Sequence, residues 1–360
     1  MEGLRRRVEA IAKTSGLDRV GFAGTEAFAE VELSMRQRID SGMSARLGFT
    51  YRDPATATAP RLSFPWGRTL VVGARAYLPE SGSPDLEPES NMPTGKVSRV
   101  AAGDGYEPLR RGLEGIAGLL KAEGYRAEVL CDDNRLVDRA AAVRAGLGWW
   151  GKNTMVLIGG IGPWAVIGSV ITDAELVPDE PLDRDCGACS ACLPACPTGA
   201  LTAPGVLDAG RCLAAWAQRP GLVPPGFRIS MGDRLYGCDD CLVACPPGGK
   251  LLRRTLKPAG RFDLRAILQA SDQTLLAWFG HWFIPNRDPG IVRRNALIAA
   301  GNSSREEIVP QVALYAGHPD WVLRAHAAWA LVRIGGGAAG AVLDQRRTDE
   351  LDVRVRAELP

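Results

Sequence analysis

The sequence predicts a multidomain chain of mixed class, α/β or α+β, in which a cysteine-rich middle separates an N-terminal α/β domain from a helical-repeat tail. Three observations predict it. Helical and strand patterns alternate through the N-terminal part, eight of the nine cysteines fall between Cys186 and Cys245, and a pattern near residue 288 recurs thirty residues later. A length of 360 residues suits two or three domains. We place them at 1–172, 173–261 and 262–360. With 46% hydrophobic and 23% charged residues, the composition excludes disorder and fibrous repeats. Lysine and arginine (43) nearly balance aspartate and glutamate (41), which neither demands nor forbids a polyanionic partner, since a basic patch can be local.

The N-terminal elements follow from apolar spacing. Leu4, Val8 and Ile11 put one apolar face on a helix over 4–14, and a short strand follows over 18–22. Residues 28–39 read as a helix and Thr69 to Ala74 as a buried strand, with a loop from Pro54 to Pro65 between them. A second loop runs from Pro79 to Pro93. Tyr106 to Ala122 is helical, Ala127 to Cys131 a strand, and Leu136 to Ala145 a helix stopped by Gly146. Met155 to Ile171 carries no charge, but its four glycines and Pro163 make it two buried strands around a turn, not a membrane span. The start, Met1 to Arg7, lacks a signal-peptide apolar core, so a cytoplasmic protein without membrane attachment is expected. Such alternation argues an α/β domain to about residue 172.

Residues 173 to about 250 change character, with short apolar runs and frequent Gly and Pro. A segment like this buries little core, so metal must supply its stability. From about 262 the chain turns helical. Asp288-Pro289 through Leu297 recurs as His318-Pro319 through Ala327, and a weaker copy starts near Leu351-Asp352-Val353-Arg354. The pattern resembles HEAT repeats, whose paired helices stack because neither buries its apolar face alone.

The cysteines carry the chemistry. Cys186, Cys189, Cys192 and Cys196-Pro197 spell C-x2-C-x2-C-x3-C-P, the bacterial ferredoxin run whose fourth cysteine serves the other cluster of a pair. Cys238, Cys241 and Cys245-Pro246 form a second run lacking its first cysteine, for which Cys212 is the candidate. The count then closes for two 4Fe–4S clusters: Cys186, Cys189, Cys192 and Cys245 on one, Cys196, Cys212, Cys238 and Cys241 on the other. Zinc is the alternative, since C-x2-C pairs also build zinc ribbons. Cys131 is left over as a core thiol. No G-x-G-x-x-G follows a strand, which leaves a nicotinamide or flavin site unsupported. The three histidines lie in the helical C-terminal part, away from the cysteines in sequence.

Between the strand at 127–131 and the cysteines lie Asp132-Asp133 and the glycine-rich Gly146 to Asn153. Spacing alone makes Asp132 or Asp133 a helix N-cap before an ordinary loop. Acids at a strand end and a glycine loop with Lys152 would also suit a ligand crevice. Taken with Cys196-Pro197-Thr198-Gly199-Ala200 and Tyr236-Gly237-Cys238-Asp239-Asp240-Cys241, this stretch resembles the epoxyqueuosine reductase family, and the resemblance extends over nearly the whole chain. It implies two clusters passing electrons to cobalamin, and an aspartate that donates a proton as an epoxide oxygen leaves a modified base of tRNA. Asp132 is the position matching that acid, six residues before the Asp138-Arg139 pair. Gly148, Lys152, Asn153, Asp239 and Asp240 are the implied cofactor-binding positions. The sequence departs from the family's usual pattern at Asp133-Asn134-Arg135, where the resemblance implies a small-small-Pro run, around Cys212, and at Pro246-Pro247-Gly248.

A tRNA partner would need concentrated positive charge. Lys250, Arg253, Arg254, Lys257 and Arg261 supply five basic residues without an intervening acid, and Arg293, Arg294 and Arg324 of the repeats could extend the patch or pack internally. An external low-potential electron donor and a monomeric state are expected. Two other readings compete: a corrinoid-dependent reductase of a small molecule, and a ferredoxin-like electron carrier without catalysis of its own. The first has no evident need of a repeat tail, and the second none of the long N-terminal domain.

Overall fold

The computed structural model describes residues 2–78, 92–254 and 260–360, with only the backbone at Phe49, Thr50, Lys250 and Arg254. Most of the loop expected over Pro79–Pro93, and Lys257, lie outside the described residues. Contacts gather the chain into two compact units. One comprises Met1–Glu80, Asp104–Gly210 and Asp240–Leu256; the other comprises Ser81–Gly103, Arg211–Asp239 and Lys257–Pro360. The cysteine-rich segment thus contributes to both.

The first unit is built on a four-stranded sheet in the order Arg19–Gly24, Thr69–Ala76, Ala165–Thr172, Ala127–Leu130. Every pairing is antiparallel. Helix Tyr106–Ala122 buries Leu109, Leu113, Ile116 and Leu120, the spacing of one helical face, in contact with the sheet. Room for it comes from Gly73 and Gly168, which pair across the ladder: a Cβ on either would come within 3.0 or 2.7 Å of Leu113. Alternate residues Leu70, Val72 and Ala74 pack instead with Ala140, Ala141 and Ala142 of helix Asp138–Arg144. Burial on both faces explains why the strands read as continuous apolar runs. Those runs report coverage and not direction, so the α/β alternation in the sequence gives an antiparallel, α+β arrangement here. The expected loop at Pro54–Pro65 is a second correction. It holds two short helices, Pro54–Thr58 and Pro60–Ser63, each with proline in its first turn, where its missing N–H costs nothing. The strands Val156–Ile158 and Ala165–Thr172 stand where the uncharged run suggested them.

In the second unit, strands Arg234–Tyr236, Thr94–Val97 and Arg261–Asp263 form a small sheet, parallel in its first pairing and antiparallel in its second. Its Leu235 and Phe262 join the same core as the helical repeats. Helix Gly290–Ser303 is buried continuously from Ile291 to Gly301, surrounded by its neighbours and not facing one. The repeat register is visible in the caps. Asp320 accepts a hydrogen bond from the Val322 amide at the start of Trp321–Ile334, and Asp352 does the same for Arg354 at the start of Val353–Arg356. Among the described residues no helix is long and apolar enough to cross a membrane.

Candidate active site and cluster ligands

Three segments of the first unit bring ionisable groups together. The start of helix Tyr106–Ala122 supplies Tyr106 and Arg110, with Asp104 accepting from the amides of Tyr106 and Glu107 at 3.0 Å each. The end of strand Ala127–Leu130 supplies Cys131, Asp132 and Asp133, and the start of helix Asp138–Arg144 supplies Asp138. Asp132 has a positive φ of 56°, a left-handed conformation that aspartate tolerates better than most residues. It is exposed, yet enough protein surrounds it that desolvation raises its pKa; the charge of Asp133 adds to the rise and that of Arg110 opposes it. Asp138 is more strongly affected. Burial lifts it well above the carboxylate range, with Asp132 adding and Arg139 opposing. Its Oδ1 is buried with no hydrogen-bond partner among the described residues. Burial also pushes the Cys131 thiol up to about 12 and raises Tyr106, so neither ionises near neutrality.

Asp133, one residue on, is the opposite case. Arg135 donates to both of its oxygens, from Nε at 3.0 Å to Oδ1 and from NH2 at 2.7 Å to Oδ2. Those bonds hold Asp133 below the carboxylate range even against burial. The pair also accounts for the departure at 133–135: the Arg135 amide donates to Asp133 and the Leu136 amide to its carbonyl, closing the turn without a proline. Neither aspartate is the cap of the next helix. That position belongs to Val137, which makes no side-chain cap, so the N-cap expectation fails because the chain makes this extra turn before the helix starts.

The first set of thiols assembles within the first unit. Cys245 packs with Trp149 and Leu157 in a small core that Cys186 joins. Burial pushes the Cys245 thiol up to about 11, and nearby Cys186, Cys192 and Cys189 add to the rise. Among the described residues no three His, Cys, Asp or Glu side chains close around a point fit for one metal ion; a cubane carries its thiolates on separate corners. The other four cysteines divide between the units, Cys196 and Cys241 in the first, Cys212 and Cys238 in the second. Cys196 sits below its usual range despite burial because the Thr198 hydroxyl and the amides of Thr198, Ala200 and Leu201 donate to its sulfur. Such bonds stabilise a thiolate and the added electron of a cluster it ligates. Within the second unit, Cys212 precedes helix Leu213–Gln218, and Cys238 packs against Leu213, Val223, Met231 and Ile298.

The other expected site residues fall in several places. Gly148 pairs with Ile158 in a hairpin, where a Cβ would lie 2.4 Å from the Leu157 carbonyl oxygen. Lys152 donates to the Gly187 carbonyl at 2.7 Å and lies 3.3 Å from the Ser190 hydroxyl, both inside the first cysteine run. Asn153 is buried with its Nδ2 3.5 Å from the Cys241 carbonyl. These two residues therefore direct their polar groups at cysteine segments. Asp239 accepts from the Arg99 amide at 2.8 Å, and Asp240 opens the one-turn helix Asp240–Val243. Arg253 is exposed, while Arg261 pairs with Asp233 at 2.9 Å. The repeat arginines are engaged internally: Arg293 with Asp272, Arg324 with Glu350, and Arg294 buried among backbone carbonyls. Sequence reasoning gave no role to Arg110, which could have been found from its place one turn beyond Tyr106. It left Arg294 between a tRNA contact and internal packing, and the buried carbonyls around it show the latter.

Ferredoxin-type cysteines for electrons, beside carboxyls whose pKa burial raises, make this chain an iron–sulfur oxidoreductase. Residues 185–248 match the 4Fe-4S double cluster binding domain and residues 284–359 match HEAT repeats. The chain is 30% identical to the epoxyqueuosine reductase of Bacillus cereus, over 99% of this chain and 96% of that protein. It also resembles two solved structures, each 30% identical over 99% of this chain and 97% of the other. One is an epoxyqueuosine reductase with a tRNA-Tyr epoxyqueuosine-modified stem loop (TM-score 0.90), and one is the Bacillus subtilis enzyme with its catalytic aspartate loop swung out of the active site (TM-score 0.89). The chain belongs to the epoxyqueuosine reductase family. Its cofactors are two 4Fe–4S clusters and cobalamin. Four thiols fit a cluster by donor type and nearness: Cys186 packs in the core of Cys245, and Cys189 and Cys192 lie close enough to act on the Cys245 thiol. The accessible Asp132, backed by the orphaned buried oxygen of Asp138, fits a site that a further group completes.

Proposed function

We propose that this chain reduces epoxyqueuosine to queuosine in the anticodon loop of tRNA, with Asp132 as the proton donor. Removing an epoxide oxygen as water takes two electrons and two protons, so the site must hold a proton where electrons arrive. The clusters and cobalamin supply the electrons when bound. What the chain's residues add is proton control. Burial holds Asp132 toward its acid form, Asp138 behind it holds a proton more firmly, and Asp133 is neutralised by Arg135 and takes no part. The single observation carrying this reading is the contrast between neighbouring carboxylates, one raised and accessible, the other tied in a bidentate ion pair.

We assign Cys186, Cys189, Cys192 and Cys245 to one cluster and Cys196, Cys212, Cys238 and Cys241 to the other. The division 1–172, 173–261 and 262–360 is kept as a division of labour: acid and corrinoid, electron supply, repeat support. Asp239 and Asp240 are kept as corrinoid neighbours, and Gly148 as the hairpin residue that sets the 151–153 loop. For tRNA, exposed Arg253 and its neighbours Lys250, Arg254 and Lys257 are the proposed phosphate contacts, with Arg261 contributing less because Asp233 already engages it. An external low-potential donor, a monomer and a cytoplasmic setting complete the proposal. The test is anaerobic reconstitution with iron, sulfide and cobalamin, followed by digestion of epoxyqueuosine-bearing tRNA and mass analysis of its nucleosides. Conversion to queuosine that requires both cofactors is expected. Intact epoxyqueuosine with fully loaded enzyme and a chemical reductant would refute it.

A further inference from the structure

Residues 211–239 carry two of the second cluster's assigned thiols, Cys212 and Cys238, on short elements with little core of their own. Their backbone is held by polar side chains of the repeats. Arg294, buried in the middle of helix Gly290–Ser303, donates to the carbonyls of Trp216 at 2.8 Å, Gly221 at 2.9 Å and Arg219. Asn295 donates to the carbonyls of Ala217 at 2.8 Å and Leu235 at 2.7 Å. Asn302, two turns further on, donates to those of Arg228 and Gly232 at 2.8 and 2.9 Å. His326 of the next repeat accepts from the Val223 amide at 3.3 Å, its other nitrogen facing the Val322 carbonyl at 2.7 Å.

The repeat positions make the point sharper. Arg324 stands in the second repeat where Arg294 stands in the first, and it meets Glu350 at 2.8 Å inside the tail. Arg294 instead donates to the carbonyls of the cysteine-bearing segment and to Asn295 Oδ1. Those carbonyls flank Cys212: the Trp216 amide donates to the Cys212 carbonyl at 3.0 Å, and Cys238 packs in the same small core as Trp216 and Ile298, one turn beyond Arg294. A cation at 1% exposure is screened far less than a surface one.

We infer that the first two repeat helices are the bracket of the second cluster, and that Arg294 is its positioning residue, fixing the Cys212–Cys238 segment and favouring the reduced cluster with its charge. The repeat tail then has a use in electron supply that is independent of tRNA. This rests on the assignment of Cys212 and Cys238 to one cluster, so the experiment includes Cys212→Ser. Full-length protein is reconstituted anaerobically, and each cluster is followed by EPR during a redox titration, the first cluster serving as internal reference. Arg294→Gln, which loses charge and fork, should move the second cluster's midpoint to a more negative potential and alter its EPR line shape, with the first cluster unchanged. Arg294→Lys, which keeps the charge, should move the midpoint less, and Asn295→Ala should alter the line shape alone. Unchanged signals in both Arg294 variants would overturn the bracket, whatever happens to the melting temperature. So would loss of both clusters together in all three variants, since a specific bracket spares the first. If Cys212→Ser keeps both clusters, the ligand assignment falls instead.

Discussion

Replacing Asp132 with Asn separates a proton donor from a residue that merely shapes a turn. Asn is the right substitution because residue 132 has φ at 56°, and asparagine accepts that conformation about as readily as aspartate. Alanine would add a backbone penalty of roughly 1–2 kcal/mol and blur the result. The stability effect has a definite sign. A carboxyl whose folded pKa is raised binds its proton more tightly folded than unfolded, so it costs stability as pH rises through the unfolded value toward the folded one. Above that window neutral Asn should therefore melt no lower than wild type, and below it the two should coincide. Catalysis should move the other way. Loss of a general acid typically costs ~10²–10⁴-fold in rate, and the alkaline limb that reports Asp132 losing its proton should vanish from the pH profile. Single-turnover conversion of modified tRNA across pH, with cluster and cobalamin spectra recorded on the same samples, measures both. A variant that turns over normally, or one that melts several degrees lower with its alkaline limb intact, would refute the assignment.

Asp138→Asn should raise the melting temperature at pH 8 and lose that advantage near pH 4, because its carboxyl is raised well above the usual range by burial; a lower melting temperature at pH 8 would contradict it. Cys212→Ser should reduce iron and sulfide from about eight to about four per chain, while Cys131→Ala should leave both at the wild-type level. Glu358→Gln should destabilise by about 3–5 kcal/mol in denaturant titration, since it strips the partner at 2.7 Å from the fully buried Arg228. Reversing charge at Arg253 and Arg254 should weaken tRNA binding and flatten its salt dependence by roughly 0.7–0.9 log units per lost contact; parallel salt series for variant and wild type would exclude this patch.

Local pattern was enough to place most elements. Helix Tyr106–Ala122 and strand Thr69–Ala76 announce themselves because each has a long apolar face or run bounded by polar ends. Sheet direction was hidden, because an antiparallel sheet covered on both faces leaves the same apolar runs as a parallel one. Prolines misled at Pro54 and Pro60, where they begin helices and do not interrupt them. The repeats were legible in outline since Asp320 and Asp352 cap their helices at matching positions. Their arginines were not, because a motif fixes where an arginine lies on a helix and leaves its partner to whatever packs there.

The site divides along the same line. Cysteine spacing is a local signal, since ligands of one run must reach one cluster across two or three residues; it named seven of the eight candidates, and Cys212 followed only from closing the count. The choice between Asp132 and Asp133 is not local. Both are aspartates at a strand end, and sequence alone made either a helix cap. What distinguishes them is the company each keeps. Arg135 lies two residues on and binds Asp133 through two oxygens, whereas Asp132 turns through a left-handed bend toward Arg110, Tyr106 and Asp138, which come from two other helices. The Asp133–Arg135 pair also occupies the place where a proline would otherwise make the turn, so the local departure from the family pattern replaces one way of fixing the bend with another. It ties Asp133 to Arg135 and leaves Asp132, the proposed acid, outside that pair, which is why a carboxylate pair adjacent in sequence can present one proton and not two.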